Sequence, residues 1–360
     1  MQSKQIKVVK SIYGNTKDGS PVYAFHIENG NQITIEIIEF GAILTRVKTP
    51  DKMGLIDDIT LGYDELEQWE NDPYYFGANI GRVANRTGGA KFTLEGQVYD
   101  LVPNTLPDFG KNHLHGGATP FNKVVWKGQE FQNEEAAGVT MRYTSVDGEE
   151  GYPGNLLCEV TYSLNKKNEL KIEYKAETDQ TTIVNMTHHS YFNLDGAGNG
   201  SILDHQIQIN ADKYTVADDD LIPTGTIAEV EGLPIDFSEN ITIGSRMSQM
   251  QEKKFTGYDL NYVLNHSEKG ALEYAGKAVS PQSGRVLEVF TTQPCMHFYT
   301  SNFLEGKEGR KGEHYAQYAA FCFEPQGYPD AANKPAFESI LLNPSEEYHQ
   351  TIIYRFSTQE

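Results

Sequence analysis

Four sets of short stretches concentrate the residue types that move protons or hold hydroxyls. The first is Asn112-His113-Leu114-His115-Gly116-Gly117. In an extended segment alternate side chains share a face, so His113 and His115 are expected side by side, and the glycines after them let a ligand come close to the backbone. Such a pair suits metal ligation or sugar binding; ordinary loop histidines are the bland alternative. A cupin-type metal site calls for a carboxylate a few residues further on, yet Ala118 to Trp126 contains no Asp or Glu, which makes metal the weaker reading.

The second stretch runs from Asn185 through Met186, Thr187, His188, His189, Ser190, Tyr191 and Phe192 to Asn193 and Leu194. Alternation puts Asn185, Thr187, His189 and Tyr191 on one face and His188, Ser190 and Phe192 on the other, so only one of the two histidines faces a cleft. A polar row of this kind is costly in a core unless each member is partnered, which favours a site over packing. The third is Phe321-Cys322-Phe323-Glu324-Pro325-Gln326. The phenylalanines are expected to fill the core while Glu324 faces away, held extended by Pro325. A carboxylate fixed against an aromatic strand and partly desolvated gains proton affinity, as a general base at neutral pH needs; a surface Glu at a strand end is the alternative. The fourth set is Gly81-Arg82-Val83-Ala84-Asn85-Arg86, Gly257-Tyr258-Asp259 and Thr291-Thr292-Gln293-Pro294. Each is weak alone, since an Arg can be a solvated charge and an Asp after Gly-Tyr can sit in a turn. Together they supply donors and acceptors for hydroxyls.

The elements that must position these residues read as strands. Ile33, Ile35 and Ile37 alternate with Thr34 and Glu36, and Lys91 to Tyr99 and Tyr162 to Tyr174 read as hairpins across Glu95-Gly96 and Asn165-Lys166-Lys167-Asn168. Further β runs are expected at Val139 to Tyr143, His205 to Ile209, Val286 to Thr292, Ala319 to Phe323 and Thr351 to Phe356. Helical periodicity is confined to Asp64 to Glu70, with Asp64 as the expected cap. The fold class that follows is all-β, a large antiparallel sandwich with few short helices. With no linker, low-complexity tract or visible repeat, residues 1–360 are read as a single domain.

Composition narrows the function further. A formal net charge of −20 repels phosphate backbones and anionic lipid, so neither nucleic acid nor membrane is expected as a partner. No apolar run is long enough for a bilayer span, and Met1 to Lys10 leads into no signal-like apolar region. Three widely separated cysteines, Cys158, Cys295 and Cys322, argue against a disulfide framework and fit a reducing, cytoplasmic location.

In this order and over nearly the whole chain, Gly81 to Arg86, Leu114 to Gly117, His189 to Leu194, Gly257 to Asp259, Thr291 to Pro294 and Glu324 to Gln326 resemble the aldose 1-epimerases, also called galactose mutarotases. Asp147 to Gly154 and Tyr328 to Ala331 look like loops of that family, as does the ending Tyr348 to Phe356. The resemblance implies a galactose mutarotase-like supersandwich that interconverts the α and β anomers of free hexoses such as glucose and galactose, without cofactor or metal. It implies Glu324 as general base on the anomeric hydroxyl, His189 as the acid at the ring oxygen and His115 assisting there. Asn85, Arg86, Ser190, Tyr191, Asp259 and Gln293 become the expected sugar-binding residues, and the expected assembly is a monomer or homodimer. His188 stands where the family usually has Asn, Leu260 where it often has His, and His297 where it commonly has Gln. Cys295 occupies a position that is often small, and the stretch from Arg86 to His115 runs a few residues longer than usual. These differences bear on sugar preference more than on reaction type. A phosphosugar 1-epimerase, a hydrolase using Asp259 and Glu324, and a non-catalytic carbohydrate-binding protein are the rivals.

Overall fold

The computed structural model describes residues 5–250 and 256–360. Its largest element is a nine-stranded antiparallel sheet in the order Lys127–Gln132, Ala136–Ser145, Leu156–Asn165, Glu169–Thr178, Tyr348–Thr358, Arg285–Thr291, Glu273–Val279, Gln206–Ile209 and Ile241–Thr242. Burial alternates residue by residue along its central strands. In Leu156–Asn165 the buried members Leu156, Cys158, Val160, Tyr162 and Leu164 face inward and the residues between them are more exposed, which is the signature of a sheet with one face on the core. The C-terminal strand Tyr348–Thr358 sits mid-sheet, paired with Glu169–Thr178 on one side and Arg285–Thr291 on the other.

Two five-stranded sheets cover the inner face of the large one. One is the N-terminal meander Lys7–Asn15, Pro21–Glu28, Thr34–Ile38, Leu44–Pro50 and Ile56–Asp58. The other, in the order Pro223–Glu229, Lys213–Ala217, Asp259–Val263, Cys295–Tyr299 and Cys322–Gln326, carries the chemistry. All three contribute to one continuous apolar cluster: Phe25 and Ile35 from the meander, Tyr262, Phe298 and Phe323 from the second small sheet, Val160, Leu287 and Tyr354 from the large one. Each fully buried side chain of this size contributes about 1.5–3 kcal/mol, enough to hold the layers in one register.

The strands Cys295–Tyr299 and Cys322–Gln326 are buried at every position. Met296, Phe298 and Phe323 point into the main cluster, and the residues between them face a second layer of loops. That double coverage creates the cavity described below.

Helix is scarce, as the sequence implies. Among the described residues the α-helices are Leu66–Glu70 and Met247–Met250, and none is long and apolar enough to cross a membrane. The first is capped by Glu65, not by Asp64: Gln68 Oε1 accepts the Glu65 amide at 3.0 Å in a capping box. Asp64 is otherwise engaged, its carboxylate taking Arg46 Nη2 at 2.6 Å and the Lys311 amide at 2.9 Å. The late β run also shifts, since the strand expected over Ala319 to Phe323 begins only at Cys322.

Candidate active site

In the sheet register Glu324 lies opposite His297, and His297 lies opposite Asn261, two residues along from Asp259. Paired residues in an antiparallel ladder share a face, so Asp259, His297 and Glu324 form a row fixed by strand pairing. The backbone around Glu324 is held on both sides: Thr187 Oγ1 donates to Pro325 O at 2.6 Å and the Tyr354 hydroxyl to Phe323 O at 2.9 Å. His189 comes from the short strand Thr187–His189, paired with Ala78–Ile80, and its Nε2 lies 3.5 Å from Glu324 Oε2. His115 arrives from the turn after His113–Leu114, in a left-handed conformation with φ of 52°.

These groups line one cavity of about 630 Å³. The hydrogen bonds within it fix which nitrogen carries the proton in His115 and in His297. The Asn85 amide donates to His115 Nδ1 at 3.2 Å, which places the His115 proton on Nε2. Asn85 Nδ2 approaches His297 Nδ1 at 3.3 Å while His297 Nε2 meets Asp259 Oδ1 at 2.8 Å, so His297 accepts from Asn85 and donates to Asp259. Arg86 Nη2 stands 3.9 Å from the other Asp259 oxygen. Aromatic rings close the walls: Tyr75 lies 4.8 Å from His115 and 6.1 Å from His189, and Tyr191 stacks on His189 at 5.0 Å.

Burial drives the titration of the row. It raises the Glu324 carboxyl well above its usual range, an effect the nearby Asp259 charge reinforces and Arg86 opposes. It lowers His189 to about 3, with His297 adding to the effect, and lowers His115 well below an ordinary imidazole, with His189 next in importance. Burial also opposes the Asp259 charge, but the His297 hydrogen bond and the Arg86 cation outweigh it and hold that carboxyl below its usual value.

His115, His189 and Glu324 offer donor atoms within 4.8 Å of one another, close enough for a cation to bridge. The tautomer works against that. The His115 Nδ1 lone pair already accepts the Asn85 amide and Nε2 carries the proton, so ligation there must break a buried hydrogen bond.

The chain matches the family model described as aldose 1-epimerase over residues 23–355. The chain belongs to the aldose 1-epimerase family. It is 41% identical to galactose mutarotase of Rattus norvegicus over 353 residues, covering 98% of this chain and 99% of the relative. It is 33% identical to aldose 1-epimerase of Escherichia coli strain K12 over 342 residues, 94% of this chain and 96% of that one. Among solved structures, the aldose epimerase homologue of C. elegans superposes with a TM-score of 0.85 at 31% identity, covering 93% of this chain and 98% of that one. The large antiparallel sandwich is thus the family's own fold.

Within this epimerase fold, Asn85, Arg86, His115, His189, Tyr191, Asp259 and Glu324 line the cavity, and Ser190 and Gln293 do not. Ser190 follows the alternation of its strand and turns away: its Oγ meets His188 Nδ1 at 3.2 Å, and His188 packs edge-on to Tyr162 and Tyr354 inside the sandwich. Gln293 precedes the strand Cys295–Tyr299, and its Nε2 donates to Met186 O and to the Tyr348 hydroxyl, both at 3.1 Å. Tyr191 reaches the cavity by its ring, while its hydroxyl donates to Tyr74 O at 2.8 Å. His113 and His115 do not share a face. The left-handed backbone at His115 ends the extended run, and His113 is a strut, donating from Nδ1 to Val102 O and accepting the Tyr152 hydroxyl at Nε2, each at 2.7 Å. Arg82, four residues before Arg86, is likewise structural: its guanidinium donates to the carbonyls of Pro153, Gly154 and Ser145. Sequence reasoning missed Tyr75, Asn104 and Tyr299 as lining residues, and noticed His297 only as a family departure.

Proposed function

We propose that this isomerase interconverts the α and β anomers of free hexoses such as glucose and galactose. The observation that carries the reading is the buried pair Glu324 and His189, 3.5 Å apart and aimed at one cavity. Their proton affinities are displaced in opposite directions, the carboxyl up and the imidazole down, both by burial. Burial thus favours the uncharged form of both groups and sets an acid and a base side by side. Anomerisation needs one proton taken and one given, because nothing is gained or lost overall.

With Glu324 as the carboxylate and His189 as the protonated imidazole, the anomeric hydroxyl of a bound sugar donates to Glu324. Glu324 then takes the hydroxyl proton. The anomeric C–O bond becomes a carbonyl as the bond from the anomeric carbon to the ring oxygen breaks, and His189 delivers its proton to that oxygen. The open aldehyde rotates about its bond to the next carbon. On reclosure the ring hydroxyl attacks the other carbonyl face, returning its proton to His189 while the new anomeric oxygen takes one from Glu324. His115, with its proton on Nε2, supplies a donor to the ring oxygen or anomeric centre. Asp259, kept anionic by His297 and Arg86, accepts from sugar hydroxyls, and Asn85, Arg86 and the Tyr191 ring complete the binding wall. No step calls on a redox or group-carrying cofactor.

The cavity also bears on the phosphosugar alternative. Of its two Lys and Arg side chains, Arg86 faces Asp259 and Lys123 donates to the carbonyls of Trp69, Glu70 and Asp72 at 2.7–3.1 Å. Lys123 is thus taken up by backbone carbonyls and the Arg86 charge faces a carboxylate, so the cavity shows no cluster of cations for a phosphate, which favours a neutral sugar. Polarimetry on freshly dissolved α-glucose and α-galactose tests the reading. Enzyme should speed the approach to equilibrium rotation for at least one of them, and a rate equal to buffer alone for both overturns it.

A further inference from the structure

His115 sits in an improbable turn. Three consecutive residues, His115, Gly116 and Gly117, have φ of 52°, 94° and 104°. The glycines adopt this at little cost, but a left-handed histidine is strained by about 1–3 kcal/mol and persists only when its surroundings impose it. The glycines cannot be exchanged for anything bulkier either, since a Cβ on Gly116 would stand 1.9 Å from the Gly81 carbonyl oxygen. The turn is tied to the Asn85 backbone, with the His115 amide donating to Asn85 O at 3.1 Å, and also to a side chain that no motif singled out.

Asn104 brackets His115 from both ends. Its Oδ1 accepts the Leu114 amide at 2.7 Å, and its Nδ2 donates to the Leu114 carbonyl at 2.9 Å and to the Gly117 carbonyl at 2.8 Å. The side-chain amide thus satisfies the backbone on either side of the histidine as a neighbouring strand would. Nδ2 also lies 3.5 Å from the hydroxyl of Tyr75, whose ring packs 4.8 Å from the His115 ring. Asn104 is itself anchored, its amide donating to Asn112 O at 3.0 Å, and the same loop is tied down through His113 and Val102. It reaches the cavity wall without approaching the row of Asp259, His297 and Glu324 by any hydrogen bond of its own.

We propose that Asn104 is a positioning residue that holds the left-handed turn so that the His115 Nε2 proton points into the cavity. It acts on the reaction through His115. The inference rests on the proposed role of His115 in anomer interconversion.

The test is a double-mutant cycle built on Asn104→Ala and His115→Ala, with kcat, KM and melting temperature measured for each variant. Freeing a catalytic group by about 1 Å costs on the order of 100-fold, so Asn104→Ala should lower kcat by roughly 10- to 100-fold and change KM by less than about 3-fold. In the His115→Ala background the same substitution should lower kcat by less than about 2-fold, because the group it positions is gone. If Asn104→Ala does not fold, Asn104→Asp serves in its place: it keeps the shape and the acceptor but sets a carboxylate oxygen against two carbonyls. Full additivity overturns the inference, as does a normal kcat for the Asn104 variants beside an impaired His115→Ala, or a change confined to KM. A fully active His115→Ala overturns instead the role given to His115, which separates the two failures.

Discussion

Replacing Glu324 by Gln isolates proton transfer from everything else the carboxyl does. The two side chains have the same shape, so the substitution leaves no cavity, and among the described residues Glu324 Oε2 has no hydrogen-bond partner that the change could break. Folding stability should therefore hold, or rise slightly, since an ionisable group that is 1% exposed is removed from the interior. Sugar binding should also hold, because the hydroxyl-binding groups Asn85, Arg86 and Asp259 are untouched; KM is expected within about 3-fold of wild type. The rate is another matter. A positioned general base contributes about 10²- to 10⁴-fold, or ~2.7–5.5 kcal/mol of barrier, and His189 at 3.5 Å has nothing left to exchange its proton with. A coupled assay with a dehydrogenase that oxidises only the β anomer, corrected for uncatalysed mutarotation, reads kcat directly. A Glu324→Gln enzyme within about 3-fold of wild-type kcat would refute the relay, whatever its KM.

The depressed His189 also sets a pH profile. Free His189 takes up a proton only as pH nears about 3, so kcat/KM should show no acid limb from it in the ordinary imidazole range; a tenfold fall between pH 7 and 5.5 contradicts this. Buried His188 is lowered from 6.5 to about 3 by desolvation, so the unfolded chain binds a proton below pH 6.5 that the native protein refuses. The stability this represents is full above pH 6.5 and is lost as pH falls, by up to about 1.4 kcal/mol per pH unit for one such group. His188→Phe should flatten the pH dependence of urea unfolding between pH 7 and 5 by about one proton, and an unchanged slope refutes that origin. Gln293→Ala should leave KM within about 2-fold while costing about 1–3 kcal/mol of stability, because Met186 O and Tyr348 lose a buried donor; a tenfold rise in KM with normal unfolding would put Gln293 back at the sugar.

What was legible in the sequence was whatever a regular strand transmits. In Phe321 to Gln326 and in Asn185 to Tyr191 the period of two holds, so the side taken by Glu324, and the opposite sides taken by His189 and His188, could be read before any coordinates. The same rule failed at His113 and His115 because it assumes an extended backbone, and a left-handed residue breaks the alternation at the point where it was applied. Ser190 and Gln293 fall outside the cavity lining for a different reason. They were carried by motifs, and a motif names a segment without saying which of its side chains reach the cavity; alternation within the segment had already put Ser190 with His188. His297 shows the converse. Its strand is buried on both faces, so Met296 and Phe298 toward the core and His297 and Tyr299 toward the cavity leave no contrast of polar against apolar to read. Its signal lies in the pairing with Glu324, which is a property of the sheet and not of the segment.

That distinction explains how the site divides its labour. Asp259, His297 and Glu324 stand on three adjacent strands of one sheet, so their spacing is set by backbone pairing about 4.8 Å from strand to strand and backed by a core that a small side-chain change does not shift. His189 joins them from a short strand tied to Ala78–Ile80. Only His115 is delivered by a turn that its own backbone preferences oppose, and there the structure spends a side-chain amide, two glycines and a tyrosine ring on holding it. If precision is built where the fold does not provide it, substitutions around His115 should trade rate against stability more steeply than equally buried substitutions around Glu324. Loop positions such as Asn104 and Tyr75 are then where activity is most easily lost without unfolding the protein.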